Sequence, residues 1–304
     1  MDEQLPYLQT FVKVADSNSF TAAANELGLT QAAISQRIQV LETRLNTVLF
    51  ERGKGGRISI TASGQSLYEF AQQILDLNRQ AISSITGKRA AAVGELLLSC
   101  SSVPGQYILP ELLTPFRQKF PDIRVRASIT DSQTVLDKME RGKTHLGIVG
   151  MRVEHPTLRF EAFAKDDMAV LVPPDHELVG TGNSPKSVSV NRLLDYPFVV
   201  REPGSGSRRC LEEALQQQGF SLNDLNVALE LGNNEAIKQA VLQGVGITAL
   251  SCRCAAEELA TGKLVAIKAK KLNLSRVIYF VTASKRVLPQ MAQQFRSFAM
   301  ERSG

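Results

Sequence analysis

The sequence is poor in cysteine, and the few cysteines that it has do not form a disulfide scaffold or a metal motif. The four cysteines of the 304-residue chain are Cys100, Cys210, Cys252 and Cys254. They are spread over three segments, and the last two are separated by one residue rather than the two of zinc and thioredoxin motifs. We therefore expect reduced, structural thiols, with a redox switch as the alternative.

Long apolar runs and a secretory signal are also absent. No stretch approaches the roughly 18 apolar residues that a bilayer span requires. Met1 is followed by Asp2 and Glu3, whereas a secretory signal begins with basic residues. The sequence predicts a cytoplasmic protein that makes no contact with a membrane.

Negative charge is slightly less abundant than positive charge, so the net charge is +5 at pH 7 and the sequence pI is about 9.0. With 43% hydrophobic and 21% charged residues, the composition is that of a globular protein and argues against disorder. The length allows two or three packed units. Because a basic excess permits nucleic-acid binding without establishing it, the positions of the cations matter more than their total.

Residues 5–45 show the apolar periodicity of three short helices. Ser19 and Thr30 are the predicted N-caps of the second and third helices, and Gly28 is predicted to end the second because glycine tolerates a left-handed backbone. The predicted buried face of the third helix consists of Ile34, Ile38, Leu41 and Leu45. Two short helices joined by a tight turn predict a helix-turn-helix, with an ordinary three-helix bundle as the alternative.

The opposite face of the third helix is small, polar and uncharged. A solvated helix face more often carries Lys and Glu, whereas amides and hydroxyls can pair with base edges in the major groove of DNA. This pattern predicts a DNA-reading helix. Its candidate DNA-binding residues are Thr30, Gln31, Ala32, Ser35, Gln36 and Gln39.

A glycine-rich turn with three cations follows the third helix. Within residues 49–61, two short apolar segments flank this turn, which predicts a hairpin wing. Basic residues at the tip of a wing contact phosphates and fix the register of a protein on DNA rather than read its sequence. The candidate phosphate contacts are Arg52, Lys54 and Arg57.

The first sixty residues resemble the LysR-type transcriptional regulators. The matching runs are Phe20-Thr21-x-Ala23-Ala24-x-x-Leu27, Gln31-x-x-Ile34-Ser35-x-x-Ile38-x-x-Leu41-Glu42, Leu49-Phe50-x-Arg52 and Thr61-x-x-Gly64. The resemblance implies that Gln31, Ala32, Ser35 and Gln36 face bases or nearby phosphates and that Arg52 reaches the DNA backbone. The family often has proline at position 32 or 33, where this chain has alanine at both, and the preferred bases do not follow from the resemblance.

Residues 63–86 predict one long linker helix, since they contain no proline and have glycine only at position 64. Apolar residues at alternating spacings of three and four form a coiled-coil seam of Leu67, Phe70, Ile74, Leu77 and Ala81. The helix could instead pack on its own chain, but pairing two readers serves two DNA half-sites. We predict a homodimer, and the resemblance implies further assembly into a homotetramer.

Residues 95–304 alternate strand-like and helix-like segments, which is typical of a doubly wound α/β unit. They resemble the two-lobed, periplasmic-binding-protein-like domain of the same family, which implies a ligand cleft between the lobes. The predicted fold is thus multidomain, an all-α winged helix-turn-helix with a long linker helix followed by an α/β effector domain. The predicted boundaries are 1–62 for the DNA-binding domain, 63–92 for the linker helix and hinge, and 93–304 for the effector-binding domain, with lobe I at 93–164 and 270–304 and lobe II at 165–269.

Polar side chains follow several of the predicted strands of the effector domain. Ligands of open α/β sheets bind at the carboxyl ends of strands, where helix N-termini present free N–H groups. Hydroxyls, amides and arginine there suit a small oxoanion or carboxylate, and helix caps with incidental arginines are the alternative. The candidate ligand-binding residues are Ser101, Ser102, Thr130, Ser132, Arg201, Ser205, Ser207 and Asn234. Residues 201–208 and 234–238 resemble the sulfur- and carbon-assimilation regulators of the family, so a sulfur or selenium oxoanion is a candidate effector.

Signals for an enzyme are weak. The three histidines have no metal-ligand spacing, and the Gly-Ser run at 204–207 is neither a P-loop nor a nucleophile elbow. Asp166 and Asp167 are adjacent on a predicted strand and therefore point to opposite faces. We predict no catalytic residue, no metal and no cofactor. The predicted partners are double-stranded promoter DNA and a small-molecule effector, with RNA polymerase as a further candidate.

Overall fold

The computed structural model describes residues 4–52, 58–86, 94–179 and 188–302 of the chain. The chain divides into two compact units, Met1–Ala90 and Ala91–Gly304. We call them the reader unit and the effector unit.

The reader unit consists of three short helices, a two-stranded hairpin and one long helix. Its elements are α1 (Leu5–Ser17), α2 (Phe20–Leu27), α3 (Gln31–Leu45), β1 (Phe50–Arg52), β2 (Ile58–Ile60) and α4 (Ala62–Thr86). β1 and β2 pair antiparallel, as the wing prediction requires, with Phe50 opposite Ile60. The helix-turn-helix, the hairpin and the long linker helix are all confirmed.

The ends of α2 and α3 follow from their capping residues. The Ser19 side chain accepts a hydrogen bond from the Ala22 N–H, and the Thr30 side chain accepts one from the Ala33 N–H, both at 3.2 Å. Such caps satisfy N–H groups that have no partner within the helix. Gly28 has a φ of +64°, the left-handed conformation that ends α2.

The core of the reader unit is formed by apolar residues from all its helices and from the wing. Phe11, Ile34 and Leu49 are fully buried, and the Phe50 ring lies 5.4 Å from the Phe11 ring. The third helix ends differently from the prediction. Leu45 is 46% exposed because it is the last residue of α3, where the helix leaves the core.

The long helix α4 has two apolar faces. Ala71 is buried in the reader core, and Leu67 is partly buried against it. The neighbouring face exposes Phe70, Ile74 and Leu77. Of the predicted coiled-coil seam, Leu67 therefore packs on its own chain. The other seam residues, Phe70, Ile74, Leu77 and Ala81, are exposed.

The effector unit is an α/β structure. Its elements are β3 (Gly94–Ser101), a π-helical turn (Pro104–Ile108), α5 (Leu109–Lys119), β4 (Ile123–Thr130), α6 (Ser132–Glu140), β5 (Leu146–Val149), β6 (Leu158–Val172), α7 (Val190–Leu194), β7 (Pro197–Arg201), α8 (Gly206–Gln216), β8 (Asn226–Leu231), α9 (Asn234–Leu242), β9 (Thr248–Ser251), α10 (Ala256–Ala260), β10 (Val265–Ile267), β11 (Ser275–Ala283) and α11 (Gln290–Arg302). The strand β10 was not predicted, because three residues are too short to show a periodicity.

Two lobes form around separate parts of the sheet. In lobe I the strand order is β6-β11-β5-β3-β4, with β3 parallel to both β4 and β5. In lobe II, β6 pairs with β9 and β10, and β7 pairs with β8. Each lobe has its own apolar core, centred on Phe116 and Phe295 in lobe I and on Phe198 and Ile247 in lobe II.

The 15-residue strand β6 runs through both lobes. Its residues Leu158–Asp167 pair with β11, and from Met168 onward it pairs with β9. The two lobes are thus parts of one unit, and the change of partner after Asp167 marks where the chain passes from one lobe to the other. The carboxyl ends of β3, β4 and β7, where the sequence predicts ligand contacts, each lead into a helical segment.

Candidate DNA-binding face and effector cleft

The helix α3 presents the predicted polar face to solvent. Thr30, Gln31, Ala32, Gln36 and Gln39 are exposed, and Ser35 is half-buried. Ile34, Ile38 and Leu41 on the other side are buried in the reader core. The face is therefore free to enter a groove of DNA.

Polar contacts fix α3 against its neighbours. Arg37 Nη1 donates a hydrogen bond to Thr10 Oγ1 at 3.2 Å, which joins α3 to α1. Glu42 Oε1 accepts hydrogen bonds from the backbone N–H groups of Leu49 at 2.7 Å and Phe50 at 3.4 Å. The carboxylate of Glu42 thus joins α3 to the start of the wing.

The wing is described only in part. Arg52 is the last residue of β1 and lies opposite Ile58. Lys54 and Arg57 lie outside the described residues, as does the side chain of Arg52. Their contacts with phosphates stay predictions.

A cleft lies between the two lobes of the effector unit. Six of the eight predicted ligand-binding residues line it, together with four that were not predicted. The predicted ones are Ser101, Ser102, Ser132, Arg201, Ser205 and Ser207, and the others are Val103, Asp131, Gly206 and Arg276. Helices α6 and α8 both begin at this cleft, so their N-terminal N–H groups lie close to it.

Arg201 is a buried side chain of the cleft, with 3% of the residue exposed. Its Nε donates to Glu202 Oε2 at 2.6 Å, and its Nη2 donates to Glu202 Oε1 at 2.7 Å. A further bond from Nη2 to Ser102 Oγ at 3.2 Å crosses from lobe II to lobe I. Its Nη1 donates to Asn234 Oδ1. Arg201 therefore joins the lobes and is oriented by partners on several sides.

The hydroxyl of Ser132 is a buried polar group in the lining of the cleft. Ser132 is completely buried, and its Oγ has no hydrogen-bond partner among the described residues. A Cβ atom added at Gly206 would lie 2.9 Å from this Oγ, so the hydroxyl faces the first turn of α8. A buried hydroxyl without a partner costs free energy, and a ligand oxygen in the cleft would supply the missing bond.

Two predicted residues lie beside the cleft rather than in its lining. Asn234 holds Arg201, and Thr130 accepts a hydrogen bond from Ser102 Oγ through its carbonyl oxygen at 3.4 Å. Ser205 accepts a hydrogen bond from the Ser207 N–H and caps α8. Arg208, next along this helix, is instead paired with Glu212 and Glu230.

Arg276 is a lining residue that the sequence reading missed. It lies on β11, and its Nε and Nη2 are both 2.8 Å from Asp166 Oδ2. The only sequence signal was an arginine directly before the apolar run Val277–Val281. The prediction that Asp166 and Asp167 point to opposite faces is confirmed, because Asp166 is buried and Asp167 is exposed.

The cysteine thiols are poorly suited to ionisation. Burial raises the pKa of Cys100 to about 12 and is the main cause that raises the pKa of Cys254 to about 11. Burial also raises the pKa of Cys210 and of Cys252. Because the thiolate is the reactive form, these shifts favour structural thiols over a redox switch.

Two further properties concern only the part of the chain that the structure describes. None of its helices combines the length and the apolar character of a membrane span. Its histidines, cysteines and carboxylates form no group of three that could hold a metal ion.

Comparison with known proteins agrees with both units. Residues 5–65 match the model of the bacterial regulatory helix-turn-helix protein, lysR family, and residues 89–304 match the LysR substrate binding domain. A RuBisCO operon transcriptional regulator of Acidithiobacillus ferrooxidans is 34% identical over 94% of this chain and 90% of its own length.

Solved structures show the same architecture. The regulatory domain of CcmR from Synechocystis PCC6803, in complex with 2-PG, has a TM-score of 0.63 and 29% identity over 69% of this chain and 97% of that chain. A mutant of OxyR from Corynebacterium glutamicum has a TM-score of 0.74 over 98% of this chain and 91% of that chain. Its 21% identity shows a shared fold. The chain, with its helix-turn-helix reader and its two-lobed effector domain, belongs to the LysR family of DNA-binding, ligand-responsive transcriptional regulators.

Proposed function

We propose that this regulator responds to a small oxoanion or carboxylate bound in the cleft between its lobes. The observation that carries this proposal is the convergence, around a buried and unpartnered Ser132 hydroxyl, of two arginines and the N-termini of α6 and α8. Hydroxyls, N–H groups and guanidinium groups all donate hydrogen bonds, so the cleft offers donors to an acceptor-rich ligand.

The charge balance of the cleft favours hydrogen bonding over simple attraction. Arg201 is paired with Glu202, and Arg276 is paired with Asp166, so their formal charges cancel before a ligand binds. The ligand's negative charge would then be stabilised by helix N-termini and hydroxyls. Such a site selects its ligand through the number and placement of acceptor oxygens.

A small organic phosphate is the first candidate effector. The CcmR regulatory domain, which is 29% identical to this chain, was solved in complex with 2-PG. The hydroxyl and guanidinium groups that line the cleft suit the acceptor oxygens of such a ligand. A sulfur or selenium oxoanion, which the sequence suggests, is the second candidate.

DNA binding is assigned to α3 and the wing. Gln31, Ala32, Ser35, Gln36 and Gln39 would face the major groove, where glutamine amides can pair with base edges. Thr30 would lie at the N-terminus of the same helix, close to a phosphate. The wing cations Arg52, Lys54 and Arg57 would contact the backbone and contribute salt-dependent affinity.

The working form is a homodimer or homotetramer on promoter DNA. The exposed residues Phe70, Ile74 and Leu77 of α4 form an apolar surface that a second copy of the helix would cover. Two readers would then bind two half-sites. We assign residues 1–62, 63–92 and 93–304 to DNA binding, linkage and sensing, with lobe II at 165–269.

Regulation requires the effector to bind two arrangements of the protein unequally. A ligand that joins Ser132 to Arg201 would favour the arrangement with the lobes together, and this change would alter the spacing of the readers. The same proposal has three further parts. The protein regulates rather than catalyses, it acts in the cytoplasm where promoter DNA lies, and it contacts RNA polymerase.

The test uses the full chain and a promoter fragment. Footprints and affinities would be measured with and without 2-phosphoglycolate, inorganic phosphate and sulfate, for the wild type and for the Ser102→Ala, Arg201→Ala double variant. We expect an anion to change the wild-type footprint and to have no effect on the variant. An equal response in both proteins, or no salt-sensitive affinity for any duplex, would overturn the proposal.

A further inference from the structure

We propose that Arg276 binds the effector directly and that the buried Asp166 is its positioning residue. This assignment rests on the proposed function of the cleft and goes beyond it by adding a contact at the point where the chain passes between the lobes. Arg276 lines the cleft, and only 9% of the residue is exposed.

The carboxylate of Asp166 holds one edge of the Arg276 guanidinium. Nε and Nη2 each lie 2.8 Å from Asp166 Oδ2. The other oxygen, Oδ1, accepts a hydrogen bond from Ser251 Oγ at 2.5 Å. Asp166 is 1% exposed, so neither its position nor its charge is relaxed by solvent. The orientation of Arg276 is therefore set before a ligand arrives.

The other edge of the guanidinium is available to a ligand. Arginine has five N–H donors, and the two directed at Asp166 leave the Nη1 group for a further acceptor. A Cβ atom added at Gly150 would lie 3.0 Å from both Cζ and Nη1 of Arg276. Glycine at position 150 thus gives the guanidinium room beside the backbone of lobe I.

The same glycine connects Arg276 to the rest of the cleft. A Cβ atom added at Gly206 would lie 3.2 Å from the Gly150 carbonyl group and 2.9 Å from Ser132 Oγ. Gly150 therefore lies between Arg276 and the part of the cleft where Gly206 and the Ser132 hydroxyl meet. A ligand oxoanion that accepts a hydrogen bond from Ser132 would therefore lie on the Gly150 side of the cleft, where Arg276 also lies.

The strand pairing places this contact at the passage between lobes. Arg276 on β11 lies directly opposite Asp166 on β6, and β6 leaves β11 for β9 after the next residue. Ser251, which holds Asp166, is the last residue of β9. The groups that orient Arg276 therefore belong to the sheets of both lobes. A ligand bound by Arg276 would stabilise one angle between the two lobes. Because such coupling is reciprocal, a protein that already has this angle would bind the ligand more tightly.

The alternative is a buried ion pair that only stabilises the fold. That role predicts unchanged ligand affinity in any variant that still folds. The direct role predicts lost affinity even when stability is kept, because the donor edge of Arg276 moves or disappears.

A pair of variants at neighbouring positions separates the two roles. Asp166→Asn weakens the hold on Arg276, whereas Asp167→Asn changes an exposed carboxylate on the opposite face of the same strand, which accepts a hydrogen bond from Ser275. Binding of 2-phosphoglycolate and of inorganic phosphate to the full chain would be measured by calorimetry. We expect Kd to rise about tenfold or more for Asp166→Asn and to stay unchanged for Asp167→Asn, a size typical of lost outer-shell support.

A second comparison covers the case in which Asp166→Asn does not fold. The double variant Asp166→Asn, Arg276→Gln removes both charges and leaves a neutral pair of similar size. Hydrogen exchange of residues 164–168 and 274–278, with and without 2-phosphoglycolate, would report on the passage between lobes. We expect ligand-induced protection there in the wild type and its loss in the double variant.

The possible failures are distinguishable. If the folded double variant binds these anions as the wild type does, while Arg201→Ala loses binding, Arg276 is only structural and the cleft keeps its proposed function. If neither anion binds the wild type at millimolar concentration, the proposed ligand class falls, and this assignment falls with it.

Discussion

The reader unit and the effector unit reach their functional surfaces by different routes. The candidate DNA-binding face is one side of one helix, and its candidate residues lie within ten positions of the chain. The cleft collects side chains from β3, α6, β7, α8 and β11, whose positions in the chain extend from Ser101 to Arg276. A local surface depends on helix periodicity and caps, whereas the cleft depends on how strands and lobes pack.

This difference has energetic consequences. The reader surface is displayed by a small core, so damage to that core should remove DNA binding as a whole. The cleft is assembled by paired charges and hydrogen bonds, so single polar substitutions should remove ligand binding and leave the lobes folded.

The largest expected effect tests whether the reader unit unfolds by itself. Phe11→Ala removes a fully buried ring that packs on Phe50, which costs about 3–5 kcal/mol for a buried aromatic residue. We expect calorimetry to show one destabilised transition, together with lost DNA binding and normal anion binding by the effector unit. A single transition in which both units lose stability equally would contradict the division.

The next effect concerns Arg201. Arg201→Ala removes a buried guanidinium from the cleft lining, and truncating one partner of a buried charged hydrogen bond to a ligand costs about 2–5 kcal/mol of binding free energy. We expect anion binding measured by calorimetry to fall roughly 30-fold or more, while salt-dependent affinity for DNA without effector is unchanged. Arg192→Ala is the matched control, since Arg192 is exposed and pairs with Glu177 and Asp195.

A smaller effect is expected for one amide of the reader. Gln36→Ala removes a candidate base contact, which is worth about 1–3 kcal/mol against the wrong base. Gel-shift titrations should show weaker binding to the promoter site and little change on random duplex. Gln118→Ala, an exposed glutamine on α5 of the effector unit, should have no effect. An equal loss of affinity for both kinds of DNA would show that Gln36 contacts the DNA backbone instead of a base.

The smallest effect is expected at the thiols. Burial raises the pKa of Cys100 to about 12 and, as the largest cause, that of Cys254 to about 11. Both thiols are therefore protonated at pH 8, and their thiolate fraction increases only as pH approaches those values. Because free cysteine has a pKa of about 8.5, alkylation of these thiols at pH 8 should be at least about a hundredfold slower, and peroxide should not change DNA affinity. Rapid alkylation and a peroxide-dependent footprint would restore the redox alternative.

Most of the fold could be predicted from the sequence because its elements carry local signals. Ser19, Gly28 and Thr30 mark the ends of the reader helices, and the structure uses all three as caps. The alternation of strands and helices predicted the α/β effector unit. The prediction that Leu45 is buried was wrong, because periodicity does not show where a helix passes beyond the core.

The cleft could be predicted only as far as its parts have local signatures. Hydroxyls after strands, as at Ser101 and Ser132, follow a general rule for α/β folds, and six predicted residues line one cleft. Arg276 has no such signature, since its place depends on the pairing of β11 with β6 across more than a hundred residues. The dependence of Arg276 on Asp166 is likewise a tertiary property.

The bond between Glu42 and the wing gives the reader a fixed span. One carboxylate oxygen accepts from two successive backbone N–H groups at the start of the wing, and the helix that carries it also carries the candidate base contacts. The distance between the helix and the start of the wing is therefore fixed before DNA is bound. DNA whose groove width does not match this distance must deform to be bound. Because the energy of that deformation depends on the DNA sequence, base pairs that no side chain contacts also contribute to specificity.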